Sequence, residues 1–518
     1  MSHSHQAHHS FWQRVQLPTF PSLRGKASTD VAIVGAGIAG LTTAYILLKN
    51  GFEVIVIDKD DLGYGETART SAHLSDILDE GFQELIRLHG EEGAQKAFAS
   101  HSDAIDLIEK IIAEEFIDCD FSRVDGYLYI SSETDMDFLQ KEFEASLKAG
   151  VQEMEVQASP RFFPQLGPAL RYGRQARLHP LKYLAGLIEA ILKMGGKIYG
   201  SSRAIDFGDG EYPFVRTADD AIIQAKHIVV CSNVPVNDRF QIHTKQAAYR
   251  SYVIGMEIPE NTFPDILLWD TSKPYHYVRK IENTRPGFDT LLVGGEDHRV
   301  GQADHPEQIF ARLQNWFQNS LKLQGTLTYK WSGQIIEPVD GLAYIGLNPG
   351  DEKTVISCGD SGHGLTHAGI TAMITRDLLQ GSPNEWVDLY SPSRMNLKAT
   401  KKYIQENANT MRQYKDRLHL SKDLKHEHLI AGEGTLVEHG TEKFALYKDN
   451  EDQLFCFRAV CPHLGGVVHW NSAERTWDCP CHGSRFSATG EVLNGPAIIP
   501  LTAAPLPPTL QEDRRPEA

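Results

Sequence analysis

Asp30-Val-Ala-Ile-Val34-Gly35-Ala-Gly37-Ile38-Ala39-Gly40 is the stretch whose reading decides the architecture of most of this chain. The apolar run ending at Val34 reads as a strand buried on both faces, and Leu41 to Lys49 continues as a helix. A second apolar strand, Glu53 to Ile57, runs into Asp58 and Lys59. In that strand–turn–helix–strand setting the glycines form a dinucleotide fingerprint. Gly35 permits the tight turn, Gly37 lets the backbone approach a pyrophosphate, and Gly40 lets helix and strand pack closely. Ile38 and Ala39 open the helix, whose free amides suit phosphate oxygens. Asp58, twenty-three residues after Gly35, is placed to accept a ribose hydroxyl. The fingerprint alone does not choose between FAD and NAD. No second strand-linked GxGxxG follows, and Val293-Gly-Gly-Glu-Asp-His298 lacks a βα context, so direct use of NADH is disfavoured.

At 518 residues the chain exceeds one core, and two or three domains are expected. A net charge of −17 argues against nucleic acid or an anionic membrane as a general partner. Seven cysteines over this length are no secreted disulfide framework. Cys119, Cys231, Cys358 and Cys456 stand alone in apolar surroundings and read as buried packing residues. No apolar run is long enough to span a bilayer, and Met1 to His9 lacks the apolar stretch of a secretory signal. Its histidines read as a disordered or tag-like arm. A cytoplasmic location is expected.

Towards the other end, Cys461-Pro-His463 is followed after fifteen residues by Cys479-Pro-Cys481-His482. A [2Fe–2S] centre with two thiolates on one iron and two imidazoles on the other needs that supply. Zinc accepts the same four ligands in a tetrahedron. The sequel Gly483-Ser484-Arg485-Phe486, Gly490 and Asn494-Gly495-Pro496-Ala497 resembles the second cluster loop and turn of the Rieske fold, which favours the cluster. That resemblance reaches back through Gly432-Glu433-Gly434, the alternating Phe444 to Tyr447 and a turn at Asp449-Asn450. It implies Cys461, His463, Cys479 and His482 as ligands, and an exposed histidine edge facing the electron partner. Two departures stand out. Gly466 occupies the place of a cysteine that in higher-potential members bridges to the middle cysteine of the second loop, here Cys481. Phe486 replaces a tyrosine that donates to a cysteine sulfur. Ser484 remains as a donor. Fewer hydrogen bonds to sulfur predict a potential low in the roughly −150 to +300 mV Rieske span.

Residues 29–390 resemble the D-amino acid oxidase-like flavoproteins, which include glycine and sarcosine oxidases. The resemblance implies FAD as cofactor. Gly63 to His73 looks like the loop under the flavin ribityl chain and ring, with Thr67, Thr70 and Ser71 as contacts and His73 open to the idea of covalent attachment. Lys226 to Val230 resembles the strand completing the adenine half of the sheet, and Trp331 to Gly346 the strand and loop beside the ring. Thr354 to Thr366 then leads through Gly362, His363, Gly364 and Leu365 into a small-residue helix, whose N-terminus by resemblance faces the flavin. His363, flanked by two glycines, suits a base near the ring or a donor to it. Amino-acid-oxidising members carry a carboxylate-clamping arginine where this chain has Ile335, so an α-amino acid substrate is doubtful. Arg250 or Arg279 would have to replace it. In Tyr275-His-Tyr277-Val-Arg279 the strand period puts Tyr275, Tyr277 and Arg279 on one face and His276 on the other. His363, Tyr252, Tyr277 and Arg279 are the candidate catalytic residues.

The expected fold class is an α/β FAD-binding Rossmann-like domain with an interleaved α+β substrate domain, plus a C-terminal all-β Rieske domain. The expected layout is an N-terminal arm over 1–28, the FAD-dependent oxidoreductase domain over 29–390, a linker over 391–425, the Rieske domain over 426–510 and a tail over 511–518. The substrate subdomain should come from about 75–190 and 240–330. The linker is long enough to pack the cluster domain or to let it swing. Function follows from pairing a two-electron flavin with a one-electron cluster. A dehydrogenase of an amine or amino-acid-like CH–NH substrate would pass electrons singly from FAD through its own [2Fe–2S] centre to an external acceptor. Reverse flow, with electrons entering at the cluster, is the runner-up, beside an O2-using oxidase and a redox sensor.

Overall fold

The computed structural model describes residues 8–131, 136–160, 162–237, 241–303, 305–415 and 429–507. The first histidines, the end of the linker and the tail lie outside the described residues.

Strand Lys26–Val34 pairs in parallel with Val54–Ile57 on one side and Ile222–Val230 on the other. Lys197–Tyr199 adds one edge; Thr354–Cys358 and the antiparallel Tyr344–Leu347 add the opposite one. Val31, Ala32 and Ile33 are fully buried, as expected where both faces of a parallel sheet are covered. Helix Ile38–Lys49 packs between the strand it follows and the helix Gly364–Gln380. Gly40 makes that approach possible: a Cβ there would stand 1.9 Å from the Gly35 carbonyl oxygen.

The second sheet has nine strands. Thr326–Pro338, Gln246–Pro259, Phe288–Arg299, His276–Arg285 and Ile266–Asp270 run in order into Ser122–Tyr129, Ala169–Arg177 and His73–Leu74, with Met154–Gln157 alongside. Its members come from residues 73–177 and 246–338. Strand Thr326–Pro338 brings Gly333 to Ile335 to the flavin side. Glycine at 294 is steric: a Cβ would meet the Tyr277 ring at 2.1 Å.

The expected arm over 1–28 is corrected from residue 8 onward. Phe11–Arg14 forms a single helical turn that buries Phe11 and Trp12, and the first strand already starts at Lys26. Two large apolar rings cannot stay in a solvated arm at little cost; they close under the flavin loop, where Trp12 Nε1 donates to Thr70 O at 2.7 Å.

The C-terminal part holds a three-stranded antiparallel sheet, Gly434–His439, Glu442–Lys448 and Leu454–Arg458, and a four-stranded one, His469–Asn471, Thr476–Asp478, Arg485–Ser487 and Val492–Asn494. Asp449 Oδ1 accepts from the amides of Glu451 at 2.9 Å and Gln453 at 2.8 Å, which forms the turn between the second and third strands. Before it, helix Thr400–Lys415 lies across both parts: Arg299 Nη2 donates to Glu406 at 2.6 Å, Asn407 Nδ2 to Thr244 O at 2.9 Å, and Thr410 Oγ1 to Cys481 O at 3.4 Å. Of the two geometries the linker length permits, this is the packed one.

Candidate functional site

A cavity of about 300 Å³ opens along the fingerprint turn and crosses to the second sheet. Gly35, Gly37, Ile38, Ala39, Asp58, Lys59, Thr67, Thr70, Ser71, Gly362, His363, Gly364 and Leu365 all line it, while Gly40 lies behind them. Gly37, the helix N-cap, provides no side-chain cap of its own, and the helix terminus faces the cavity. Thr67 Oγ1 accepts from the Ile38 amide at 3.0 Å, which ties the flavin loop to that terminus. Asp58 accepts from the amides of Ala36 at 2.7 Å and Asp60 at 3.1 Å, and burial pushes its carboxyl above the usual range. A helix N-terminus at the cavity, glycines that leave no room for a Cβ and an acid at the second strand's end fit the pyrophosphate and ribose of FAD.

At the far end the cavity is walled by Trp269, Tyr275 and Tyr277, by Ser251 and by Gly333 to Ile335. The strand alternation places Tyr275 and Tyr277 there and turns His276 away, where it stacks on Trp316 and bonds Asp270. Arg279 shares the tyrosines' strand face but is held beneath the flavin loop. Its Nη1 donates to Ala72 O at 2.6 Å and Leu178 O at 3.1 Å. Tyr252, fully buried, points to the other face of its strand, with its hydroxyl taking a hydrogen bond from Asn471 at 3.3 Å. Arg250 is likewise turned away and donates to Ser332 O and Oγ. Of the four catalytic candidates, Tyr277 and His363 reach the cavity; Tyr252 and Arg279 do not, because backbone and interdomain partners hold them.

Carboxylates dominate what remains. Asp79 and Asp360 line the cavity, with Glu80, Asp297 and Glu337 close behind. Burial raises the Asp360 carboxyl to about 6, and Glu66 adds to it. Burial and mutual repulsion push Glu80 and Glu337 upward as well. His363 Nε2 lies 3.1 Å from the Asp79 amide and 3.4 Å from its Oδ1. Burial lowers its pKa, but Asp79, Glu80 and Asp360 outweigh that and raise it. Nε2 accepts from the Asp79 amide and so carries no proton in this geometry, while the surrounding carboxylates favour its taking one up. Burial lowers the pKa of its neighbours His101 and His367 and so favours their neutral form. His73 uses Nδ1 on Ser71 and Nε2 on Val278 O, which leaves neither nitrogen facing the cavity unengaged.

The four expected cluster ligands converge in two pairs. The Cys461 and Cys479 thiols share a hydrogen bond, and this contact, together with burial, lifts Cys461 well above its ordinary range. The His463 and His482 rings stand edge to face with centroids 5.1 Å apart. Two sulfurs together and two imidazoles together fit the two irons of a [2Fe–2S] centre. Gly466 sits where the bridging cysteine would be: a Cβ there would stand 2.6 Å from Cys481 Sγ. All seven cysteines are buried and free. Ser484 contacts Cys461 and accepts from the Ala497 amide at 3.0 Å.

Sequence reasoning missed how these sites touch. Val492 to Asn494, Gly495, Ala497 and Ile498 of the cluster domain line the flavin cavity. Asn494 Nδ2 donates to Glu66 Oε1 at 2.7 Å, and Gln334 Nε2 to Gly483 O at 2.7 Å. Behind this seam Glu474 lies among Arg69, Arg250 and Arg485. The histidine edge, expected to be exposed, is instead half-buried against His243, whose ring is 5.0 Å from His463 and 6.1 Å from His482. Tyr414 of the linker helix reaches the cysteine side and hydrogen-bonds Cys481. None of these contacts joins residues near in sequence, so no local pattern announces them.

Fold and sites together define a flavin-type oxidoreductase carrying its own Rieske-type iron–sulfur domain. The family model described as FAD dependent oxidoreductase (DAO) matches residues 30–378, and the Rieske [2Fe-2S] domain model matches residues 419–505. The chain belongs to the DAO family, with FAD bound by the first domain and a [2Fe–2S] cluster by the second. It is 32% identical over 509 residues to the Bacillus subtilis (strain 168) protein YhfW, described as a Rieske 2Fe-2S iron-sulfur protein, over 96% of this chain and 97% of that one. The gamma-glutamylputrescine oxidoreductase of Escherichia coli (strain K12) is 23% identical over 376 residues, covering 70% of this chain and 86% of its own. Among solved structures, glycine oxidase from Geobacillus kaustophilus superposes with a TM-score of 0.59 at 16% identity, over 71% of this chain and 99% of that one, which shows a shared fold. Among the described residues no helix is long and apolar enough to cross a membrane.

Proposed function

We propose that the protein is a cytoplasmic dehydrogenase of an amine, passing electrons singly from FAD through its own Rieske centre to an external acceptor. When bound, FAD accepts a hydride and releases electrons one at a time, which the cluster can take. The loop Val492–Ile498 is the observation that carries this reading, because it touches both sites: it walls the flavin cavity and, through Ala497 and Ser484, reaches Cys461. Such contact favours exchange within the chain.

The substrate end supports an amine rather than an α-amino acid. Arg250 and Arg279, the arginines expected to replace the carboxylate clamp, are held elsewhere, and Ile335 leaves the usual clamp position apolar. Asp79 and Asp360, with Tyr275, Tyr277 and Trp269, make a wall that suits a cation. Kinship with gamma-glutamylputrescine oxidoreductase supports oxidation at a CH–NH bond. Within the cavity the aromatic rings orient the substrate, the loop from the cluster domain excludes water, and His363, whose Nε2 accepts from the Asp79 amide, is the candidate proton-exchanging group.

Anaerobic mixing of the holoenzyme with N-methylbutylamine, pyrrolidine and glycine tests this. The expected result is flavin bleaching by an amine and not by glycine, followed by the paramagnetic signal of a reduced Rieske centre. Stoichiometric hydrogen peroxide under air, with the cluster still oxidised, would overturn the route through the cluster.

A further inference from the structure

Strands Gln246–Pro259 and Phe288–Arg299 pair with a bulge beside the cavity. Arg250 stands opposite His298 and Tyr252 opposite Gly295, so Glu296 and Asp297 together face Ser251 alone. Bulges of this kind re-aim side chains. Glu296 takes up the turn in a left-handed conformation, with φ of 59°. The re-aimed Asp297 lies against Ser251, and Ser251 Oγ is 3.0 Å from Tyr277 OH. Ser251 and Tyr277 both line the cavity. Asp297 Oδ1 is shielded from solvent and accepts no hydrogen bond. A buried acceptor left open at the end of a hydroxyl chain needs a reason.

We propose that Tyr277, Ser251 and Asp297 form a proton relay that takes the N–H proton of the bound amine and stores it on the Asp297 carboxylate. The inference rests on the amine reading above. An ammonium substrate must lose one proton from nitrogen before its α-hydrogen can leave as hydride. That proton passes to the Tyr277 oxygen, the phenol proton to Ser251, and the Ser251 proton to Asp297. The hydride and its electron pair go to the flavin, and the carbon–nitrogen bond becomes an iminium. When product leaves, the proton returns along the same chain to water entering the cavity. Asp297 acts through Tyr277 and Ser251; it does not touch the substrate.

The electrostatics suit that role. Burial raises the Asp297 carboxyl to about 8; Ser251 and His276 pull it down, and Glu337 and Asp79 push it up. Tyr275 and Tyr277 also face it. Such a group can both take up and release a proton near neutrality.

Infrared titration of the FAD-loaded holoenzyme, without substrate, reads the acceptor directly. A carboxylic-acid C=O band should disappear as pH rises through about 8, be absent in Asp297→Asn, and titrate at higher pH in Ser251→Ala. With N-methylbutylamine under anaerobic conditions, the flavin-reduction rate should rise through the same pH window. Asp297→Asn and Tyr277→Phe should each lose roughly 100-fold or more of that rate, together with the pH limb, and Asp297→Glu should recover part of both. A purely structural role would leave the limb in place. The relay is overturned if no acid titrates in the wild type, or if Asp297→Asn keeps the limb. A titrating acid in an enzyme whose flavin no amine bleaches would instead overturn the amine reading, and the relay's cargo with it.

Discussion

Glu474→Gln should uncouple the two redox sites while leaving each of them loaded. Glu474 Oε2 lies 3.5 Å from Arg250, 3.8 Å from Arg485 and 3.9 Å from Arg69, and every one of these side chains is at most 2% exposed. Arg69 belongs to the flavin loop and Arg250 to the substrate sheet, whereas Glu474 and Arg485 belong to the cluster domain. At an effective dielectric near 20 each contact is worth about 4 kcal/mol of bare attraction. Desolvation offsets most of that, so the useful figure is the cost of losing one partner, about 3–5 kcal/mol for a buried pair. Asp478 keeps Arg485 partnered at 3.0 Å, and Glu66 stands 4.0 Å from Arg250. The uncompensated charge therefore falls chiefly on Arg69, on the flavin side of the seam. If the whole loss falls on docking, the docked population drops roughly 100- to 4,000-fold, at 1.4 kcal/mol per tenfold. Small-angle scattering of the holoenzyme should show a larger particle. After photoreduction of the flavin, cluster reduction should slow while visible circular dichroism shows the cluster intact. A variant with intact cluster, unchanged scattering and unchanged transfer rate would refute the argument that this network holds the domains together.

Four other outcomes follow from single contacts. Gly40→Ala places a Cβ 1.9 Å from Gly35 O, so the protein should purify without flavin absorbance. Tyr414→Phe removes a hydrogen bond to Cys481, which the ligand assignment leaves off the irons, so film voltammetry should find the cluster potential unchanged, and a clearly lowered value counts against that assignment. Gly466→Cys brings a sulfur to Cys481 and should remove two titratable thiols under air, seen by alkylation and mass spectrometry. For Asp297 the folded carboxyl sits at about 8 and the unfolded one near 4. As pH rises between these values the unfolded chain loses its proton first, so stability is full below about 4 and falls until about 8. Asp297→Asn should then melt higher than the wild type at pH 9, with the difference closing towards pH 4.

What could be read beforehand was what chemistry forces into contiguous residues. The fingerprint needs its glycines at fixed spacing, and the cluster needs its ligands in two short loops; both families of residues lie where the sequence puts them, Gly40 behind the cavity and the four ligands in two pairs. Faces were harder. In Arg250-Ser251-Tyr252 the arginine and tyrosine carry the recognisable chemistry, yet the small serine faces the cavity. Strand period fixes which residues share a face but not which face is the site. The bulge at Glu296 and Asp297 then shifts the phase of the neighbouring strand, which no alternation pattern reveals. Trp12 went unread for a related reason: a polar, histidine-rich beginning outweighed two aromatic residues whose burial depends on a loop more than fifty positions away.

The contacts out of reach of sequence are also those that join the two chemistries. Glu66 shows why. It sits in the flavin loop, where its Oε2 accepts from the Gln334 amide at 2.6 Å on the strand beside the ring, and its Oε1 accepts from Asn494 in the cluster domain. One carboxylate thus sets loop, strand and cluster turn relative to each other, and a swinging cluster domain would have to break that bond, the Gln334–Gly483 bond and the Glu474 network at each excursion. Losses of that size, several kcal/mol together, keep the cluster domain docked in nearly all molecules and leave the undocked form a minor population. The acceptor outside the chain therefore meets a cluster that is docked most of the time, and since His243 already covers the histidine edge, approach to the docked form has to come from another side of the domain.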